Sequence, residues 1–172
     1  MVVSTYLVAY ASKHGATAEI ARKIGETLTK AGFQTALADA KTIRDLSPYQ
    51  AIILGSAVYF GSRREEATKL LKTNEQILAE KHIWLFSSGP AGEGDPVELL
   101  NGWRFPSGLQ EIIDRIQPRD IIVFHGVVDL DKLNRFEKWI LNNVRSPVRD
   151  FRDWETITDW ASDIADTLKL DG

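Results

Sequence analysis

Short apolar runs alternate with stretches of helical periodicity along most of the chain. Five runs rich in β-branched and aromatic residues predict strands at residues 5–11, 33–40, 51–57, 82–88 and 121–128. Helices are predicted at residues 17–31, 65–79, 107–116 and from about Asp153 onward. Because a helix between two buried strands returns the chain to the same edge, this alternation predicts an α/β fold with a doubly wound, mostly parallel sheet. The chain is expected to form one domain over residues 1–172.

The first and last helices have the clearest sequence signals. Residues Ile20, Ala21, Ile24 and Leu28 share one helical face, and Gly32 is expected to end that helix. In the last helix, Asp153 is expected to cap the first turn. Its predicted buried face carries Ile157, Ala161, Ile164 and Leu168.

The composition limits the chemistry that the side chains can supply. The 172 residues include no cysteine, which excludes thiol catalysis, disulfide chemistry and cysteine-ligated metal centres, and no metal site is predicted. A redox role would therefore require a bound cofactor. The net charge of −3 gives no general attraction to nucleic acid, and no signal-peptide or membrane-spanning pattern is found, so a cytoplasmic protein is expected.

The stretch YASKHGAT follows the first predicted strand and leads into the first predicted helix. Ser12 and Thr17 supply hydroxyls, Gly15 allows a turn, and the unpaired amides of the first helical turn complete a set of donors suited to a phosphate. The alternative is that Ser12 or Thr17 only caps the helix. The glycine patterns of P-loops and of dinucleotide-binding Rossmann folds are absent. A phospho-receiver domain is excluded because its aspartate is missing from the end of the third strand.

Two further loops are expected at the same edge, because ligands of such sheets bind beyond the carboxyl ends of the strands. The third strand leads into GSAVYFGS at residues 55–62, and the fourth leads into SSGPAG at residues 87–92. Small residues allow backbone amides to approach a planar heterocycle, and Tyr59 or Phe60 could form an apolar wall. Either aromatic could instead belong to the core.

These three loops together resemble the flavodoxin family. The matching features are the [ST]-x-x-G-x-T pattern on Ser12, Gly15 and Thr17, the GSAVY stretch after the third strand, and the small-residue loop after the fourth. YASKHGAT, GSAVYFG and the start of the last helix are most similar to the branch containing the menaquinone-dependent protoporphyrinogen dehydrogenases. The resemblance implies strand order 2-1-3-4-5, non-covalently bound FMN, and oxidoreductase activity, with a porphyrinogen and a quinone as candidate substrates. The alternative function is an electron shuttle between protein partners.

The resemblance also implies which residues bind FMN. The phosphate would be held by Ser12, Lys13, His14, Gly15, Ala16 and Thr17. One side of the isoalloxazine would be lined by Ala57, Val58, Tyr59, Phe60 and Gly61. The other side would be lined by Ser87, Ser88, Gly89 and Pro90, with Trp103 as a candidate for stacking on the ring.

Several charged residues have two interpretations each. The sequence predicts a basic amphipathic helix within residues 129–150. This helix either contacts an anionic membrane surface, a quinone or a partner, or it packs on the domain with its charges solvated. Arg63 and Arg64 either attract an anionic substrate or are simply solvated. His82 and His125 are predicted to be hydrogen-bonded structural residues.

Overall fold

The computed structural model describes residues 5–59, 62–63, 65–90, 94–100, 102, 104–105, 107–127, 135–136, 138–139 and 150–172. The strands are β1 (Thr5–Ala11), β2 (Gln34–Asp39), β3 (Tyr49–Tyr59), β4 (Ser62–Arg63), β5 (His82–Ser88) and β6 (Asp120–Phe124). The helices are α1 (Ala16–Lys30), α2 (Glu65–Thr73), α3 (Glu75–Ala79), α4 (Pro96–Leu99), α5 (Gln110–Ile116) and α6 (Trp154–Asp171). The predicted alternation of strands and helices is therefore confirmed.

The five long strands are parallel and lie in the order β2-β1-β3-β5-β6. This confirms the predicted order 2-1-3-4-5, once the two-residue β4 is left out of the count. β4 pairs antiparallel with the end of β3, so the chain turns back on itself directly after β3. Such a doubly wound sheet places its ligand site beyond the carboxyl ends of the central strands.

Each face of the sheet is covered by its own layer of helices. On one face α1 and α6 pack against β1, β3, β5 and β6, burying Val8, Ile53 and Phe86 completely or almost so. On the other face α2, α3 and α5 pack against Leu7, Ile52 and Leu85. Alternate residues of one strand thus enter opposite cores, which explains why these strands are apolar without interruption.

The two helices beside the site edge form as their sequences predict. In α1 the side chains of Ile20, Ala21, Ile24 and Leu28 are all fully buried. α6 begins after Asp153, whose carboxylate accepts hydrogen bonds from the amides of Glu155 and Thr156, both at 3.1 Å. The four predicted apolar positions of α6 are likewise buried.

The predicted helix over residues 65–79 is divided in two at Asn74. The Asn74 side-chain amide donates a hydrogen bond to the carbonyl of Leu70 at 2.9 Å, and its backbone leaves helical geometry. In a continuous helix that carbonyl would accept from the Asn74 backbone amide, so the side chain replaces the backbone donor. A second helix, α3, starts directly afterwards.

Two strands differ from the sequence prediction by more than one residue at an end. The third strand is longer than residues 51–57, because it pairs with β1 from Tyr49 and with the short β4 up to Tyr59. The last strand ends at Phe124 instead of Val128, since Gly126 turns to hydrogen-bond with Pro90. Val128 itself lies outside the described residues. Within the described ranges, no helix is both long and apolar enough to cross a bilayer.

Candidate functional site

The register of the parallel strands brings three loops to one edge of the sheet. At the carboxyl ends, Ala11 of β1 pairs with Ser56 of β3, and Ala57 of β3 pairs with Ser88 of β5. Ser88 in turn pairs with Phe124 of β6. The carboxyl-end residues of β1, β3 and β5 therefore lie side by side, as the sequence analysis expects.

The first loop, defined as residues 12–17, is a tight turn leading into α1. Gly15 has φ +90°, a conformation that favours glycine, and its amide donates a hydrogen bond to Ser12 Oγ at 2.9 Å. Gly15 is also the N-cap of α1, and it has no side chain that could accept from the first-turn amides. The alternative in which Ser12 or Thr17 caps α1 is therefore wrong. These first-turn amides lie at the positive end of the helix dipole, so they are suited to binding an anion.

Thr17 points away from the helix start and into the protein. Its side chain is 1% exposed, and Thr17 Oγ1 lies 2.8 Å from Ser88 Oγ, which is also buried. The first loop and the end of β5 are thus joined by a hydrogen bond between side chains. Ser12, His14, Gly15 and Ala16 are half-buried around this point, while Lys13 is exposed at the rim.

The carboxyl end of β3 is described up to Tyr59. Ala57 is half-buried, and the backbones of Val58 and Tyr59 pair with Arg63 and Ser62 of β4. Phe60 and Gly61 lie outside the described residues. The short hairpin, which the sequence analysis did not predict, aligns the backbone of residues 57–59 with the edge where the other loops start.

The end of β5 carries polar groups into the protein interior. Ser87 is fully buried, and its Oγ has no hydrogen-bond partner among the described residues. A buried hydroxyl without a partner costs about 1–3 kcal/mol, so such a group indicates a place where a further polar group is accommodated. The donor set at this edge, consisting of hydroxyls and amides, fits a ligand with a phosphate and a polar heterocycle.

The loop after β5 is held by a close crossing of two backbone segments. A Cβ added to Gly126 would lie 2.7 Å from Gly89 Cα, so only glycine fits at position 126. The Gly126 amide donates to the carbonyl of Pro90 at 3.1 Å. His125 Nε2 lies 2.8 Å from the carbonyl of Gly94. The segment after β6 therefore fixes Gly89 and Pro90 at the edge of the site.

A cluster of charges lies behind the first loop, and sequence reasoning did not find it. The guanidinium of Arg152 donates to the carboxylate of Asp150 at 2.9 and 2.7 Å, and it also pairs with Glu19 in the first turn of α1. These side-chain hydrogen bonds hold the pKa of Asp150 below its ordinary value and raise the pKa of Arg152. The Asp-x-Arg spacing before the capping Asp153 is a weak signal that could not have indicated the contact with α1.

Both histidines with a predicted structural role form hydrogen bonds, whereas several other predicted residues lie outside the described ranges. His82 Nδ1 accepts from Arg119 Nε at 3.0 Å, and with the contact of His125 above, the structural interpretation of both histidines is confirmed. The side chain of Arg63 lies outside the described residues, as do Arg64 and Trp103. Residues 135–136 and 138–139 are helical and exposed, which confirms helical structure for that part of the predicted basic helix.

The sequence matches one protein family over most of its length. Residues 7–153 match the family described as flavodoxin domain. No curated protein matches the sequence.

Three solved structures illustrate the similarity of the fold. Rubredoxin oxygen:oxidoreductase from Desulfovibrio gigas is 17% identical with a TM-score of 0.64, and the match covers 96% of this chain and 36% of that one. A flavodoxin from the domain Archaea is 15% identical with a TM-score of 0.61, covering 96% of this chain and 99% of that one. A Fusobacterium nucleatum flavodoxin variant bound to flavin mononucleotide is 20% identical with a TM-score of 0.50, covering 69% and 68%. The chain thus spans about a third of the first structure and nearly all of the second.

Proposed function

This chain belongs to the flavodoxin domain family, and on that premise we propose that it is an FMN-dependent oxidoreductase. The family supports FMN as the cofactor and a redox function. The observation that carries the proposal is the convergence of three loops at the carboxyl ends of β1, β3 and β5. A single domain over residues 1–172 and a cytoplasmic location are parts of the same proposal.

In this proposal each loop contacts a different part of FMN. The first loop binds the phosphate through the Ser12 hydroxyl and the first-turn amides of α1, whereas the Thr17 hydroxyl is buried against Ser88. Ala57, Val58, Tyr59, Phe60 and Gly61 line one side of the ring, and Ser87, Ser88, Gly89 and Pro90 line the other. The buried Ser87 hydroxyl, which lacks a partner among the described residues, supports this assignment.

FMN, when bound, would supply the one-electron and two-electron transfer chemistry of the proposed reaction. The residues of the three loops would bind the FMN and orient its ring. Because residues 87–90 are small, their backbone would be able to approach the ring closely. The crossing of Gly126 over Gly89 fixes that approach.

The proposed substrates are a protoporphyrinogen and a quinone, with a role in heme biosynthesis. A porphyrinogen carries carboxylates, and Lys13 at the rim of the first loop, together with Arg63 and Arg64, offers cations that could attract them. The exposed position of Lys13 supports this interpretation.

Contact with a membrane surface is proposed for the segment at residues 129–150, since a quinone is a lipid-soluble acceptor. Phe136 and Trp139 are 67% and 62% exposed, and their rings stack at a centroid distance of 6.1 Å. Arg135 and Lys138 alternate with them on the same helical stretch. Exposed aromatic and basic residues together are typical of helices that lie in a lipid interface.

The alternative function is an electron shuttle without a substrate of its own. The match to nearly the full length of an archaeal flavodoxin favours this alternative. In that case the exposed aromatic pair would contact a redox protein. The two functions make different predictions about turnover.

Anaerobic turnover of FMN-loaded protein distinguishes them. We expect protoporphyrinogen to be oxidised to the porphyrin with a menaquinone analogue as acceptor. Three quinones should be reduced per porphyrinogen, because this oxidation releases six electrons and each quinone accepts two. The control omits the quinone, and oxidation of the porphyrinogen should stop once each bound FMN has accepted two electrons. The oxidoreductase proposal is wrong if the protein neither oxidises the porphyrinogen nor reduces the quinone. If a flavodoxin reductase nevertheless exchanges electrons rapidly with the protein, the shuttle is favoured.

A further inference from the structure

We propose that Arg152 is a positioning residue for phosphate binding, acting through the first turn of α1. It neutralises Glu19, the acidic residue of that turn, and holds the turn against residues 150–153. This inference rests on the proposed function, because the anion bound by the first loop is taken to be the phosphate of FMN.

The contacts of Arg152 reach both sides of the junction. Nε and Nη2 donate to the carboxylate of Asp150 at 2.9 and 2.7 Å, while Nη1 pairs with Glu19 and lies 3.4 Å from the carbonyl of Ala16. Ala16 belongs to the first loop. The Arg152 side chain is 9% exposed, so its geometry is fixed by these partners and not by solvent.

The carboxylate of Glu19 explains why a cation is needed at position 152. The start of α1 attracts an anion through its amides and its dipole, but the Glu19 carboxylate in the same turn repels one. Pairing with Arg152 offsets this repulsion. Without the guanidinium, the carboxylates of Glu19 and Asp150 would both lie uncompensated near the first loop, and the local charge would become more negative by one unit.

The geometry favours arginine over lysine. The guanidinium uses its planar fork on Asp150, a further nitrogen on Glu19, and its face on the Trp154 ring, which lies 4.7 Å from the guanidinium carbon. A lysine ammonium could not make this set of contacts together, but it would keep the positive charge that neutralises Glu19, and that charge is what the proposal requires.

The segment that carries Arg152 is itself anchored to the other side of the site. Asp150 forms an antiparallel bridge with Val127, and the Phe151 amide donates to the carbonyl of Gly126 at 3.1 Å. Gly126 contacts Gly89 in the loop after β5. Arg152 therefore joins the first loop to the segment that supports the ring-side loop.

The test compares FMN with riboflavin, which has the same ring and lacks the phosphate. Titration of apoprotein should show that Arg152→Gln raises the Kd of FMN about tenfold, while the Kd of riboflavin changes less than about threefold. Arg115→Gln is the matched control, because it removes an exposed pair with Glu75 on the opposite helical layer. This variant should leave both constants unchanged.

A double variant with the wild-type net charge distinguishes the neutralisation of Glu19 from a general disruption of the structure. Adding Glu19→Gln to Arg152→Gln should return FMN binding to within about threefold of the wild type. Arg152→Lys, which keeps the charge, should also remain within about threefold. It provides the test if the glutamine variant does not fold.

Three results would overturn the inference. These are an unchanged FMN constant in Arg152→Gln, an equal loss of FMN and riboflavin binding, or a tenfold loss in Arg152→Lys. If the wild-type protein binds neither flavin, the proposed function itself is wrong and the inference falls with it. If the wild type binds FMN and Arg152→Gln binds it equally well, only the inference is wrong.

Discussion

Thr17 Oγ1 lies 2.8 Å from Ser88 Oγ, in a buried hydrogen bond that joins the first turn of α1 to the end of β5. These residues are 71 positions apart in the sequence, and both side chains are excluded from solvent. The bond connects the two loops proposed to bind the phosphate and the ring of FMN. Replacing either residue should therefore affect stability and flavin binding together.

Thr17→Val removes one hydroxyl from this pair and keeps the shape of the side chain. We expect the free energy of unfolding to fall by about 1–3 kcal/mol, because Ser88 Oγ is then buried without a partner. Thr29→Val is the matched control, since Thr29 lies on the exposed face of the same helix and bonds only to a backbone carbonyl. Urea unfolding measures the free energy of unfolding of both variants. Equal effects in the two variants would contradict the role of the pair.

Gly55→Ala should disrupt the core beneath the site. A Cβ at position 55 would lie 1.9 Å from the ring of Phe86, which is fully buried. We expect a loss of about 2–3 kcal/mol in the free energy of unfolding, because the ring cannot move away in a packed interior. Thermal unfolding followed by circular dichroism measures this loss.

Gly25→Ala is the control for that variant. Gly25 lies in α1, and an added Cβ would meet the nearest atom at 3.7 Å, which is ordinary contact. Alanine is a better helix former than glycine, so this variant should gain about 0.5–1 kcal/mol. If Gly55→Ala is as stable as the wild type, the close packing of Phe86 on β3 is wrong.

Gly126→Ala tests the backbone crossing at the ring-side loop. Its Cβ would lie 2.7 Å from Gly89 Cα, so Gly89 and Pro90 must shift. We expect weaker binding of both FMN and riboflavin, and a stability loss of about 1–3 kcal/mol. Gly108→Ala is the control, because nothing lies within 4 Å of its added Cβ. If Gly126→Ala binds both flavins as the wild type does, residues 89–90 do not belong to the flavin site.

The ion pair of Asp150 with Arg152 predicts a pH dependence of stability. The pKa of Asp150 is lower in the folded protein than in the unfolded chain, so the unfolded chain binds the proton more readily. The contribution of the pair is therefore complete above the ordinary carboxyl pKa of about 3.9 and is lost as the pH falls through the lower folded value.

Asp150→Asn should accordingly lower the free energy of unfolding at pH 6 by about 0.5–1 kcal/mol, since the Asp150 side chain is 44% exposed and solvent screens the pair. The variant and the wild type should converge once the pH is below the lowered pKa of Asp150 in the folded protein. Asp166→Asn, at the more exposed pair with Lys169, should change stability by less than about 0.5 kcal/mol at either pH. A difference for Asp150→Asn that persists at the lowest pH would contradict the linkage.

The sequence predicts most of the fold because the strands are buried on both faces. The runs at residues 5–11 and 82–88 match β1 and β5 residue for residue. Boundaries fail where a local hydrogen bond competes with periodicity, as the Asn74 side chain does at the carbonyl of Leu70. The β4 hairpin was missed because two paired residues leave no pattern in the sequence.

The candidate site is predictable to a smaller extent. Glycine and hydroxyl residues at strand ends indicate the first loop, because donors and a positive φ are local requirements. The partner of Thr17, the crossing of Gly126 over Gly89 and the pairing of Arg152 with Glu19 all depend on tertiary contacts. The contact of Arg152 with Glu19 joins residues more than a hundred positions apart, so no local sequence pattern indicates it.

The most direct test of FMN binding is a titration of the apoprotein with FMN, followed by the visible spectrum and the fluorescence of the flavin. We predict one FMN per chain, a Kd below about 1 µM, and binding at least about tenfold tighter than that of riboflavin. Flavin absorbance and emission that stay the same as in buffer, with about 100 µM protein present, would contradict it.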